Sequence, residues 1–138
     1  TLAGCDTVIF GGGVYAGSIA GWRRAARRIV KARPRRVLLF ACGLADPAKE
    51  KTQKEARMLF EKRLPDAMRA LPVFCLRGGI DYAKLKCVHR AMMAMLMKLL
   101  KNKKDPSEED RQLMQTYGKK ADFFDPSATQ PVIDAAKE

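Results

Sequence analysis

The chain has 138 residues, 47% of them apolar, and carries 27 lysines and arginines against 15 acidic residues, a formal net charge of +12. That length suits one domain with an ordinary core, no apolar run approaches the roughly 18 residues a membrane span needs, and no signal-peptide pattern opens the sequence, so a soluble intracellular protein is expected. The charge favours anionic partners such as phosphates, nucleic acid or an anionic membrane surface, while Cys5, Cys42, Cys75 and Cys87 lack CxxC spacing and have only His89 for company, so reduced thiols are expected and a structural zinc is not.

Thr7-Val8-Ile9-Phe10 is a charge-free run of β-branched and aromatic residues, the pattern of a strand buried on both faces of a parallel sheet. Gly11, Gly12 and Gly13 follow, then Val14-Tyr15-Ala16-Gly17. The glycines predict a loop where bare backbone can approach a flat or anionic group, with the Tyr15 ring beside it. Ser18 is the expected N-cap of a helix over 19–32, with Ile19, Trp22, Ala26, Ile29 and Val30 as its apolar stripe and Arg23, Arg24, Arg27, Arg28 and Lys31 facing out. Pro34 ends that helix. Val37-Leu38-Leu39-Phe40-Ala41 reads as a second strand closed by Cys42-Gly43, with Leu44-Ala45-Asp46-Pro47 as its loop. A charged surface helix over 49–68 turns Ala56, Leu59, Phe60 and Leu64 inward, and Pro65 breaks or kinks its end. Val73-Phe74-Cys75-Leu76 is a third strand, running into Arg77-Gly78-Gly79-Ile80-Asp81-Tyr82. Three strands alternating with two helices predict an α/β fold: an open parallel sheet with helices on both faces. Its right-handed crossovers bring the three glycine-containing loops to one edge, where ligands of such folds bind.

The remainder differs in character. Val88, Met92, Met93, Met95, Leu96, Met97, Leu99 and Leu100 fall within 85–100, flanked by Lys84, Lys86, Arg90, Lys98, Lys101, Lys103 and Lys104. Apolar residues cover more than one helical stripe, which leaves two readings open. One is a core helix filled by adaptable methionines; the other is a basic helix over 84–104 that docks on a membrane surface or a partner. Asp105 or Ser107 caps the next helix, Tyr117-Gly118 ends it, and Asp125-Pro126-Ser127 introduces a last one over about 128–137.

Other residues invite sharper roles than their setting supports. His89 sits on an apolar helix with no matched carboxylate and reads as a packed residue rather than a general base. Cys42, at a strand end, reads as a small buried hydrophobe rather than a reactive thiol. Arg77 beside two glycines suits an anion clamp, which keeps a non-redox phosphate or sugar site open. The basic cluster from Arg23 to Arg36 raises a nucleic-acid-binding reading, but aromatics are only 7%, none interleaves with the arginines and no reader motif is present.

The segments Asp6-Thr-Val-Ile-Phe-Gly-Gly-Gly-Val-Tyr-Ala-Gly17, Leu76-Arg-Gly-Gly-Ile-Asp-Tyr82 and Met114-Gln-Thr-Tyr-Gly-Lys119 together resemble the flavodoxin-like domains related to menaquinone-dependent protoporphyrinogen oxidase. The likeness runs over nearly the whole chain, from the third strand of that fold to its last helix. It implies a single domain over 1–138 with a helical insertion over 83–120, and a parallel sheet of order 2-1-3-4-5 that binds FMN at its switch point. This chain would lack the first two strands and the phosphate loop that follows the first, because it opens on Thr1 and its first element starts at once. The resemblance sets Gly11, Gly12, Gly13, Val14, Tyr15, Ala16 and Gly17 against the isoalloxazine and Cys42, Gly43 and Leu44 on its other side, makes Arg77 to Tyr82 the start of a family-type insertion, and counts Arg77 and Gly78 with the cofactor-binding residues. No catalytic residue is implied. The implied function is an FMN-dependent oxidoreductase or electron-transfer flavoprotein, extending to protoporphyrinogen oxidation with a quinone acceptor. Its expected place is the cytoplasm or the inner face of the membrane. Without its neighbours, strand 6–10 is expected to pair with a second copy as a homodimer or to stand as an open edge.

Overall fold

In the computed structural model, which describes residues 2–138, the first apolar run extends into a long strand, β1 (Thr7–Tyr15), that folds back through a short β2 (Ser18–Ile19). Helix α1 (Trp22–Ala32), strand β3 (Arg36–Gly43), helix α2 (Glu50–Glu61) and strand β4 (Val73–Arg77) follow. The sheet order is β2-β1-β3-β4. β1 and β4 both run parallel to β3, with Val8 beside Val37, Phe10 beside Leu39 and Phe40 beside Phe74. The expected parallel sheet is therefore present, with an antiparallel hairpin added at its outer edge.

Side-chain alternation divides the sheet into two faces. Val8, Val37, Leu39 and Ala41 point to one face, where they are buried with Trp22, Ala26 and Ile29 of α1 and Ala56 and Phe60 of α2. Aromatic rings close this core. Trp22 meets Phe10 at 5.1 Å and Phe60 edge-on at 4.9 Å between ring centroids. The Trp22 indole N–H also donates to the Phe60 carbonyl at 3.0 Å. That carbonyl lies in the last turn of α2 and also accepts from the Arg63 N–H at 3.3 Å, so the indole adds a buried second bond to the same oxygen and ties the two helices together. On the opposite face Leu38 and Val132 are buried where α5 (Gln130–Lys137) packs on β3, and the Arg36 guanidinium donates to the Ala135 carbonyl. Helices thus flank both faces.

The chain divides into two compact units, one running to Arg77 and resuming at Asp125–Glu138, the other Gly78–Phe124. The second opens with β5 (Gly79–Asp81), which pairs antiparallel with β6 (Lys120–Asp122) as a two-stranded ribbon, with helices α3 (Cys87–Lys101) and α4 (Glu108–Thr116) between the two strands in sequence. Gly79 is required there: a Cβ would stand 2.7 Å from the Ala121 carbonyl oxygen. Ser107 caps α4 in a full capping box. Its hydroxyl accepts from the Asp110 N–H, and the Asp110 carboxylate accepts from the Ser107 N–H while pairing with Lys103 at 2.6 Å. The Lys103 bond first, then the Ser107 amide, lowers the Asp110 carboxyl from 3.8 to about 2.

Several boundaries differ from expectation. The helix expected over 19–32 begins at Trp22, because Ser18 and Ile19 pair back onto Tyr15 and Val14. Ser18 is therefore no N-cap; its hydroxyl donates to the Tyr15 carbonyl at 2.9 Å, and Gly21, with φ of 77°, precedes the helix without any side-chain cap. The helix expected over 49–68 stops at Glu61, and a 3-10 turn, Asp66–Met68, follows Pro65. The β5–β6 ribbon is an addition that no sequence pattern announces.

Candidate functional site

The glycine cluster is the first correction. Gly11, Gly12 and Gly13 were expected to form a loop, yet they continue β1 and pair with Phe40, Ala41 and Cys42 of β3. What requires glycine there is close approach of neighbouring groups. A Cβ on Gly11 would fall 1.9 Å from the Phe40 ring, and one on Gly12 would fall 2.6 Å from the Ile19 methyl and 2.9 Å from the Ala20 carbonyl. On Gly13 it would meet the Tyr15 ring at 2.8 Å, since that ring leans back along its own strand. The Gly11 face under Phe40 is filled by the protein itself. Phe40, absent from the expected site, thus limits where a planar ligand could lie; its alternation with buried Leu39 and Ala41 was the available signal.

The loop that does exist is the hairpin tip. Tyr15 pairs with Ser18, leaving Ala16 and Gly17 as a two-residue turn with φ of 45° and 70°, the positive pair a type I′ turn demands. Ala20 donates to the Gly13 carbonyl at 2.9 Å and prolongs the ladder. Tyr15, Ala16 and Gly17 are exposed, Tyr15 at 53%, while Val14 and Gly13 are half-buried. Alanine at positive φ costs about 1–2 kcal/mol, so this tip holds local strain.

The register brings the other tips to the same edge. Gly13 stands beside Cys42 and Gly43 beside Arg77, and a Cβ on Gly43 would sit 3.7 Å from Val14. Cys42, Gly43 and Leu44 are half-buried. Burial pushes the Cys42 thiol up from its ordinary value, which suits a packed thiol and not a thiolate nucleophile. Arg77, for which an anion clamp was one open reading, donates its Nε to the Leu44 carbonyl at 3.0 Å, so it braces the loop after β3 from the end of β4. Gly78 begins the second unit, and His89 lies within that unit in α3.

Chemically, this edge offers an exposed aromatic ring, the backbone of a tight turn and a half-buried apolar loop. Those features fit a planar ring system with a polar rim, which needs a flat contact and main-chain hydrogen bonds. Tyr15, Cys42 and Arg77 are the titratable groups at these tips; none of the expected site residues is a carboxylate or a histidine. The arrangement is equipped to bind and orient a ligand.

No curated protein and no solved structure gives a match to this chain. A protein-family model described as a flavodoxin domain matches residues 1–107, a span that includes all three parallel strands, the hairpin and every residue of this edge. With most of its length matched, the chain belongs to the flavodoxin domain family, whose type is flavin binding in redox and electron transfer.

Proposed function

We propose that the chain is an FMN-dependent oxidoreductase or electron carrier that seats the flavin ring between the hairpin tip and the loop after β3. One observation carries this reading: in a flavodoxin-family sheet, the register aligns Gly13 with Cys42 and Gly43 with Arg77 at the carboxyl ends of parallel strands, where ligands of such sheets bind. FMN, when bound, supplies the electron-transfer chemistry. The chain's own residues position it. Tyr15 contributes a stacking face worth about 0.5–1.5 kcal/mol, the Ala16–Gly17 turn offers main-chain donors and acceptors, and Cys42, Gly43 and Leu44 supply an apolar wall that Arg77 holds in place. Gly11 and Gly12 act behind the site, letting Phe40 and Ile19 close on β1.

The finer assignment, protoporphyrinogen as substrate and a quinone as acceptor in the cytoplasm, rests on the resemblance of the Asp6–Gly17 and Leu76–Tyr82 segments. The homodimer reading rests on β1. Among the described residues, its outer edge from Thr7 to Gly12 pairs with no strand, and Ile9 is 49% exposed beside buried Leu38.

Titration of the purified chain with FMN, followed by flavin fluorescence, tests the function. Saturable quenching is expected, weakened several-fold by Tyr15→Ala. A chain that leaves FMN fluorescence unchanged overturns the proposal. Sedimentation velocity of wild type and Ile9→Lys tests the dimer, which the lysine should dissociate.

A further inference from the structure

Helix α3 presents two apolar faces, and only one is used by the fold. Met97 and Leu100 are buried, with His89 and Met93 half-buried along the same line. Rotated by about a quarter to a third of a turn, Val88, Met92, Met95 and Leu99 recur at i, i+4, i+7 and i+11 and therefore share a second stripe. That stripe stands in solvent: Val88 is 69% exposed, Met95 68% and Leu99 64%. An isolated exposed leucine is unremarkable, but four aligned apolar side chains on one helix form a contiguous patch.

The surroundings of the patch carry one sign of charge. From Tyr82 to Lys104 there are seven basic residues, Lys84, Lys86, Arg90, Lys98, Lys101, Lys103 and Lys104, and no Asp or Glu. Lys103 pairs with Asp110, and Lys84 lies 3.9 Å from Asp81. Among the described residues, Lys86, Lys98, Lys101 and Lys104 enter no ion pair. A second copy of this surface would bring like charges together around the patch, which disfavours self-association through it. No helix among the described residues is long and apolar enough to cross a membrane, so the helix could only lie along one.

We propose that α3 docks flat on an anionic lipid surface, with Val88, Met92, Met95 and Leu99 entering the headgroup–acyl boundary and Lys98 beside the stripe, with the lysines at the ends of the helix, meeting lipid phosphates. An exposed apolar stripe supplies the insertion term, and an acid-free run of cations supplies attraction that neutral lipid cannot match. The contact uses the helix alone, whether or not a flavin binds at the sheet edge.

Flotation of the full chain with vesicles tests it. The vesicles are phosphatidylcholine alone or phosphatidylcholine with about one-third phosphatidylglycerol. At least about tenfold greater partition onto the anionic vesicles is expected, falling by at least about tenfold in the double variant Met95→Glu with Leu99→Glu. The pair Lys98→Gln with Lys101→Gln should weaken partition several-fold and flatten its salt dependence, while circular dichroism and FMN quenching stay as in wild type. Equal binding to neutral and anionic vesicles, or no vesicle binding, overturns the proposal. So does retention that survives the Met95/Leu99 change but is lost in Arg23→Gln with Arg27→Gln, since it would move the contact to α1.

Discussion

Phe10, Trp22 and Phe60 meet ring against ring inside the sheet unit, whereas Val88, Met95 and Leu99 stand in solvent on the second unit. Both groups are apolar residues at regular spacing, so periodicity alone does not separate them. The difference lies in what is available to cover them. The sheet provides Val8, Leu39 and Ala41 as a floor, and a buried indole bond locks α1 to α2 above it. The β5–β6 ribbon has only three residues in each strand, and α3 has more apolar surface than its own unit buries. Core and contact surface are thus told apart by the topology around a stripe, not by its composition.

The largest effect that can break this comparison comes from truncating the two kinds of residue in the same way. Phe60→Ala should cost about 3–5 kcal/mol in denaturant unfolding, because a fully buried ring is replaced by a cavity. Met95→Ala should change stability by less than about 0.5 kcal/mol. If Met95→Ala costs as much as Phe60→Ala, the outer stripe is packed in solution and the contrast collapses.

Glycine substitutions sharpen the comparison at the backbone. Gly12→Ala forces a Cβ against the Ala20 carbonyl and the buried Ile19, and should cost about 1–3 kcal/mol across the sheet transition. Gly79→Ala meets the Ala121 carbonyl in the ribbon instead. Hydrogen exchange should show its effect confined to the amides of β5 and β6 and their neighbours. Spread of that loss to β1 and β3 would show that the two units unfold as one.

The same contrast separates what is legible in the amino-acid sequence from what is not. The three parallel strands are legible because each is a charge-free run bounded by glycine, proline or charge, and their order follows from the helices between them. The glycine cluster misleads for a physical reason: locally, Gly11–Gly13 looks like a chain leaving a sheet, but Phe40 and Ile19 occupy the space that side chains there would need. That demand comes from residues distant in sequence or across a turn. The hairpin is hidden behind Ala16, which is an unusual residue at positive φ where Asn or Gly would have announced the turn. The ribbon joins Gly79–Asp81 to Lys120–Asp122, segments too short and too far apart to signal each other. Of the candidate edge, the loops after β3 and β4 are legible, while the bracing of Leu44 by Arg77 is not, since a lone arginine beside glycine names no partner.

A smaller effect should appear at the cap of α4. Ser107→Ala removes one half of the capping box and should cost about 1 kcal/mol of local helix stability. Because the Asp110 carboxyl is held at about 2 in the folded chain against an ordinary 3.8, its contribution is fully present above the ordinary value and is lost as pH falls toward about 2. Far-UV circular dichroism on acidification should therefore show helix lost through that window in wild type. Asp110→Asn should already lack this increment at neutral pH; an unchanged acid profile in that variant would show that the bonds to Lys103 and Ser107 contribute nothing to stability.

The smallest effect lies at the tip of the candidate site. Ala16 is held at φ of 45° in a turn whose partner, Gly17, is already glycine, so Ala16→Asn creates the pair preferred by a type I′ hairpin. It should stabilise the sheet unit by about 0.5–1 kcal/mol, because asparagine tolerates the left-handed region that alanine resists. Alanine there leaves the turn narrow beside the exposed Tyr15 ring, so the larger side chain should weaken FMN quenching even as the thermal midpoint rises. A stabilised variant with undiminished flavin affinity would separate the strain at this turn from ligand binding and shift the weight of the site onto Tyr15 and the 42–44 loop.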